Sequence, residues 1–290
     1  MTKKTVVVTG ANGLLGRELV GLLAMTYDVR ALVHMVPPDP ILGVNYYGVD
    51  FSVDWNAGVL PEKADAIVHL AQSAHFRDVP ARALEVFEVN ITSTARLLDY
   101  AWRTGVERFV FASSGGIYGS GTQAFRENSP ISPPDSLGYY LGSKASGEAL
   151  VSSYAKFMKV MILRFFFIYG QRQNRTMLIP RLADNIRAGQ PITIQGDNGL
   201  RLNPIHVVDA AKAVMASLES ENSAIYNIAG PEKLSLRALC EEIAPFVGCE
   251  ARFESVPGDP FDVVGDVTLM SAHLHVPKIR PRDGVRDVVA

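Results

Sequence analysis

Apolar positions along the chain switch repeatedly between two periods. Thr5-Val6-Val7-Val8-Thr9 is a β-branched run, after which Gly10, Gly13 and Gly16 interrupt the chain and the apolar spacing lengthens through Leu14, Leu15, Leu19, Leu22 and Leu23. That pattern predicts strand, tight turn, helix. Further strands are predicted at residues 28–33, 45–49, 65–71, 108–114 and 159–167, and the fourth of the six, Asp65 to Ala71, is almost continuously apolar, as in a parallel sheet covered on both faces. Leu84, Phe87, Ile91, Ala95, Leu98 and Ala101 mark a long amphipathic helix over 83–102, and a second helix is read over 139–157. Residues 35–40 hold three prolines and read as a loop, as does the proline-rich stretch 123–137.

After Tyr169 the pattern changes. Residues 171–176 are polar and twice basic, 177–188 predict an amphipathic helix and 191–194 a short strand. Residues 205–209 begin another strand-to-helix passage, 224–229 read as a last buried strand, and Ser235 is placed to cap a helix over 235–247. The alternation predicts an α/β protein: a Rossmann-type doubly wound parallel sheet with a smaller C-terminal substrate-binding region. Residues 1–168 are assigned to the sheet domain with 204–228 returning to it, and 169–203 with 229–290 to the smaller region.

Composition narrows the function. The 290 residues are 48% hydrophobic, enough for a sizeable core. Net charge is −2, and no long run of one sign suits nucleic acid or an anionic membrane, so the expected partner is a small molecule. Cys240 and Cys249 fit neither a zinc pattern nor a disulfide framework, and no metal site is assigned. The first strand starts within a few residues of Met1, and the most apolar stretch, 160–170, is short and interrupted by Arg164, so a cytoplasmic protein is expected.

The glycine turn suits a phosphate. Backbone N–H groups at a helix N-terminus lack intrahelical partners and favour an anion, provided no Cβ blocks it. Gly10 would permit the turn, Gly13 the close approach and Gly16 the packing of helix on strand. Tyr140 and Lys144, four apart, share one helix face, where an ammonium beside a phenol would lower a pKa that starts near ~10. Ser113 and Ser114 end the fifth strand, where ligand crevices of such sheets lie.

Together these segments resemble the extended short-chain dehydrogenase/reductase family, in its nucleotide-sugar epimerase and dehydratase branch. Thr9 to Gly16 is similar to its Thr-Gly-x-x-Gly-x-x-Gly, His69-Leu70-Ala71 to its fourth-strand motif, Ser113 to Gly119 to Ser-Ser-x-x-x-Tyr-Gly, and Tyr140 to Lys144 to Tyr-x-x-x-Lys. Leu163-Arg164 through Tyr169-Gly170, Gly196, Gly199 and 205–209 extend the likeness over essentially the whole chain. The resemblance implies NAD or NADP as cofactor, with Tyr140 moving a proton at a sugar hydroxyl or ketone, Lys144 binding the nicotinamide ribose and Ser114 bonding the reacting oxygen. The implied cofactor cleft comprises Gly10, Asn12, Gly13, Leu14, Leu15, Gly16, His34, Asp50, Phe51, Leu70, Ala71, Gln72, Asn90, Ser113, Tyr140, Lys144 and Phe167. The implied substrate contacts are His75, Gly115, Phe167, Arg172, Arg175 and Arg201. The family also commonly dimerises through two long helices from each subunit, here 83–102 and 139–157.

Departures from the family pattern separate the possible reactions. Dehydratases of the branch carry an Asp-Glu pair where this chain has Gly115 and Gly116, which excludes their proton chemistry. Phe167 replaces a sugar-contacting Asn, and Leu202 stands where a diphosphate-gripping arginine is expected, with Arg201 adjacent. The end of the second strand, Val33-His34, lacks the carboxylate that repels a ribose 2′-phosphate; with Arg30 and Arg17 nearby, the reading leans to NADP. The expected activity is a 4-epimerase or 4-keto reductase of a nucleotide-sugar. The alternatives are an NADPH-dependent reductase of a non-sugar carbonyl and a catalytically silent cofactor-binding protein.

Overall fold

A computed structural model describes residues 3–289. Its centre is a seven-stranded, wholly parallel sheet of β1 (Thr5–Thr9), β2 (Asp28–Val33), β3 (Val44–Gly48), β4 (Ala66–His69), β5 (Arg108–Ser114), β6 (Lys159–Phe165) and β7 (Ala224–Ile228). The strand order is β7-β6-β5-β4-β1-β2-β3, so the winding reverses between β1 and β4. A crevice therefore opens at the carboxyl ends of those two strands.

Strand alternation splits the core into two layers. Val6, Val8, Val29 and Ala31 face α1 (Leu14–Leu23) and a helix over Val207–Ser217, while Val7, Leu32, Ile67, Phe109 and Phe111 face the opposite helices. Covering on both sides is why these strands read as unbroken apolar runs. The opposite face carries α2, over residues 83–104, and α3, Pro134–Ser153. α2 contains a π-helical turn, Glu88–Thr92, and α3 is kinked at Gly138, whose φ is 65°.

Several expected boundaries move, among them the helix read over 139–157, which spans Pro134–Ser153. β4 ends at His69, leaving Leu70 and Ala71 in the following loop. β6 ends at Phe165, because Phe167 takes a φ of 42° and turns the chain into a two-residue pairing of Ile168–Tyr169 with Ile205–His206. The loop expected over 123–137 gives way to helix at Pro134, a residue preorganised for a first helical turn. The C-terminal stretch, which shows little periodicity, holds three short helices and the strand Phe253–Val256, paired with Ile192–Gln195. Val285 of that stretch joins Ile179, Leu182 and Ile186 of the helix Leu178–Arg187 and Leu239 and Ile243 of the helix Leu236–Val247 in a further apolar core. Among the described residues, no helix is long and apolar enough to cross a membrane.

His69 ties three elements together beneath the crevice. Its Nδ1 lies 2.7 Å from Thr9 Oγ1 on β1, its Nε2 lies 3.0 Å from Thr94 Oγ1 on α2, and the residue is 1% exposed. Burial depresses the imidazole pKa to about 3, so the folded protein holds it neutral while the unfolded chain protonates it near its ordinary 6.5. The unfolded state thus binds the extra proton below pH ~6.5, and stability falls there by up to about 1.4 kcal/mol per pH unit from this group. Urea unfolding at pH 7.0, 6.0 and 5.0 should show that decline, and His69→Gln, though less stable at pH 7, should flatten most of it. An equally steep decline in the variant would place its origin elsewhere.

Candidate active site

The glycine turn is a cradle with almost no spare room. Gly10 has a φ of 65°, and a Cβ there would stand 2.9 Å from the Ala71 nitrogen. A Cβ on Gly16 would come within 2.1 Å of the Gly10 carbonyl oxygen, so α1 approaches β1 as closely as a backbone can. Gly13 is the N-cap of α1, and a Cβ there would reach 3.2 Å from the same oxygen. The α1 N-terminus is thereby presented to the crevice without side-chain obstruction, which fits a pyrophosphate.

A cavity of about 470 Å³ begins at this turn and gathers many of the residues singled out in the sequence. Gly10, Asn12 and Gly13 line one side, His34, Asp50 and Phe51 the ends of β2 and β3, and Leu70, Ala71, Gln72 and His75 the loop after β4. Leu14 lines a neighbouring cavity of about 310 Å³, together with Arg17, residues 35–39 and Arg172. Leu15 and Gly16 are instead buried against the sheet.

Asn90 shows why a polar residue sits inside α2. The π turn carries it inward, where its Oδ1 accepts from the Ser73 amide at 3.0 Å and its Nδ2 donates to Ser143 Oγ at 2.9 Å. It clamps the loop after β4 to α3.

On α3, Tyr140, Lys144 and Glu148 form one stripe, four residues apart. Lys144 donates to the Ala112 carbonyl at 2.9 Å and lies over the Phe111 ring; burial lowers its pKa to about 8. Glu148 receives Ser113 Oγ at 2.5 Å and a two-pronged bond from Arg164 of β6, at 2.9 and 2.6 Å. Arg164 also donates to Tyr118 Oη at 2.6 Å.

Tyr140 departs from expectation. Its hydroxyl donates to Gln72 Oε1 at 3.1 Å, its ring packs on Phe76, and burial pushes its pKa up to about 12 rather than down. The cation expected to lower it is held by the Ala112 carbonyl instead. Ser114 lies at the end of β5 with its Oγ accepting from the Gly116 amide at 3.1 Å, whereas Ser113 turns away into the Glu148–Arg164 pair. The ring of Phe166 occupies the space beside Gly115: a Cβ there would stand 2.4 Å from it. Phe167 is partly buried between two apolar clusters.

The basic residues are mostly committed. Arg175 bonds Asp184 and the Val288 carbonyl, which ties the C-terminal segment down instead of reaching the crevice. Arg201 bonds Asp262 at 2.6 Å, whose other oxygen takes Lys233. Arg30, near the start of β2, is held by Asp28 and Tyr47, far from the strand's carboxyl end. Arg17 and Arg172 both meet Asp39, at 2.7 and 3.3 Å. His75 pairs with Asp78 at 2.7 Å.

Sequence reasoning missed Glu148 and Asp39, and gave Arg164 no role beyond its place in the Leu163-Arg164 motif. The four-residue spacing from Lys144 is a signal for Glu148; nothing in the proline-rich loop signals Asp39.

Residues 6–229 match the family model described as NAD dependent epimerase/dehydratase family. The chain belongs to that family. It is an enzyme of the extended short-chain dehydrogenase/reductase type. A Mus musculus dTDP-D-glucose 4,6-dehydratase is 31% identical over 209 residues, covering 71% of this chain and 58% of its own length. A Bacillus subtilis (strain 168) protein described as an uncharacterized UDP-glucose epimerase is 29% identical, over 80% of this chain and 75% of its own. Two solved structures share the fold. UDP-glucuronic acid 4-epimerase from Bacillus cereus, with UDP-glucuronic acid and NAD, has a TM-score of 0.84 and 25% identity, covering 98% of each chain. UDP-glucose 4-epimerase from Thermus thermophilus, with NAD, has a TM-score of 0.81 and 26% identity, covering 98% of this chain and 97% of that one.

Because the Phe166 ring fills the volume beside position 115, Gly115→Ala should destabilise the protein by about 1–3 kcal/mol. Phe166→Leu has its own cost, yet in its background the alanine should be far better tolerated. Urea melts of the four proteins give the coupling energy, and strict additivity would rule out the steric explanation.

Proposed function

We propose that this protein is an NAD-dependent 4-epimerase of a UDP-linked sugar. The observation that carries the proposal is the α3 stripe: Tyr140 and Lys144 share one helix face, Lys144 bonded to the Ala112 carbonyl of β5 and Tyr140 to Gln72, which lines the cavity that begins at the glycine turn. The similar structures bound to NAD, and in one case also to UDP-glucuronic acid, support both cofactor and substrate class. When bound, the nicotinamide ring supplies a hydride acceptor and donor.

The protein's own part is to hold atoms and move a proton. Gly10, Gly13 and Gly16 leave the α1 N-terminus open to a diphosphate, and Lys144 would hold the nicotinamide ribose. Tyr140 takes the proton from the sugar C4 hydroxyl as the carbon is oxidised, and returns it when the ketone is reduced from the other face. Ser114 Oγ hydrogen-bonds the same oxygen. Burial raises the phenol, so Tyr140 ionises only where a positive charge stands close to it.

The Phe166 ring argues against the 4,6-dehydratase reaction, since it leaves no volume for a carboxylate at position 115. A second reading, reduction of a less polar carbonyl, is favoured by the stacked aromatic cluster of Tyr118, Phe125 and Phe166 and by buried Leu202. For assembly, the exposed groove of Phe87, Ile91, Tyr139 and Leu150 on α2 and α3 suits a homodimer through paired helices.

Incubation with UDP-glucose or UDP-glucuronate should yield the C4 epimer, read by NMR of the anomeric region. Tyr140→Phe should lower turnover by roughly 10²–10⁴-fold while NAD affinity stays within about threefold. No epimer from either sugar nucleotide, or a Tyr140→Phe protein as active as the parent, would overturn the proposal.

A further inference from the structure

The corner where β2 meets the glycine turn holds an arrangement that the epimerase reading does not use. β2 ends at Val33 without a carboxylate, and His34 is largely exposed beside Asp50, 3.8 Å away. The chain then runs through Met35-Val36-Pro37-Pro38 back towards α1, pinned by Asn12 Nδ2 donating to the Met35 carbonyl at 3.1 Å. This return brings Asp39 between two guanidiniums. Its Oδ2 lies 2.7 Å from Arg17 Nη2 of α1 and 3.3 Å from Arg172 Nη1, while the Asp39 carbonyl accepts a further bond from Arg17. Arg172 holds a φ of 66°, unusual for a side chain of its kind.

Two cavities meet at this corner. His34 lines the larger and residues 35–39 the smaller, and both include Asn12 and Gly13. In a doubly wound fold the adenosine ribose lies at the end of the second strand, hence where these cavities join. A phosphate on the ribose 2′-oxygen would carry two negative charges towards Arg17 and Arg172, the planar donors best suited to it. Asp39 already neutralises them and would repel the phosphate directly.

We propose that Asp39, by occupying Arg17 and Arg172, is the residue that makes this chain select NAD over NADP, in place of the carboxylate missing from the end of β2. The inference rests on the dinucleotide-cleft reading above. It assigns the discrimination to a proline-delivered side chain from the loop after the strand. It also reverses the sense of Arg17: the residue expected to favour a phosphorylated ribose is engaged by the group that excludes it.

Calorimetric titration of the full chain with NAD and with NADP tests this directly, without turnover. Wild type should bind NAD at least tenfold more tightly than NADP. Asp39→Asn, at an exposed position, should narrow that ratio at least tenfold through tighter NADP binding, with NAD changed less than threefold. The gain should shrink as salt rises, and Arg17→Gln added to Asp39→Asn should remove it. An unchanged ratio in Asp39→Asn, or a wild type that prefers NADP, would overturn the role of Asp39 while leaving the dinucleotide cleft standing. Failure of wild type to bind either dinucleotide would overturn the cleft itself, and the inference with it.

Discussion

A carboxylate and a guanidinium buried together between α3 and the sheet determine where Tyr140, Lys144 and Ser114 stand. Glu148 and Arg164 are each under a tenth exposed, and both prongs of the guanidinium are used on the carboxylate. Leaving either partner alone in such surroundings costs about 3–5 kcal/mol, far more than a surface pair. The pair therefore acts as a stiff joint. From it, the stripe through Lys144 to Tyr140 runs up α3 towards the crevice, and Ser113, bonded to the same carboxylate, fixes the end of β5 that carries Ser114. Helix and strand are thus set in register by one buried group.

A second joint works on the other side. Asn90 reaches the loop after β4 and α3 at once, which it can do because the π turn of α2 rotates it inward. That loop delivers Gln72 to Tyr140 and Phe76 to its ring. The phenol is consequently enclosed by residues from two elements, and its raised pKa reflects that enclosure.

The central sheet was legible because its strands are covered on both faces, so burial writes itself into unbroken apolar runs. The Tyr140–Lys144 spacing was legible for a similar reason: helix geometry alone puts them on one face. The partners of those residues were not. Gln72 lies 68 positions from Tyr140, and Arg201 finds Asp262 61 positions away, distances at which no local period operates. Two-residue strands such as Arg201–Leu202 and Asp262–Val263 are too short for alternation to show, and they exist only because the pairing closes a long excursion. Arg30 misled because proximity in sequence to the strand end is not proximity in space; a strand carries successive residues about 3.3 Å further along.

The same contrast explains what the two glycine regions mean. Around Gly16 the backbone packing itself demands glycine, since any Cβ would strike the Gly10 carbonyl, and the motif is consequently read from sequence alone. At Gly115 the demand comes from a side chain, the ring of Phe166, which follows directly on β6. A glycine forced by backbone announces the fold, whereas a glycine forced by a neighbouring ring records how the site is filled. Here the volume that a side chain would need at position 115, at the end of β5, is filled by an aromatic ring, and the hydroxyls that remain beside it are those of Ser114 and Tyr118.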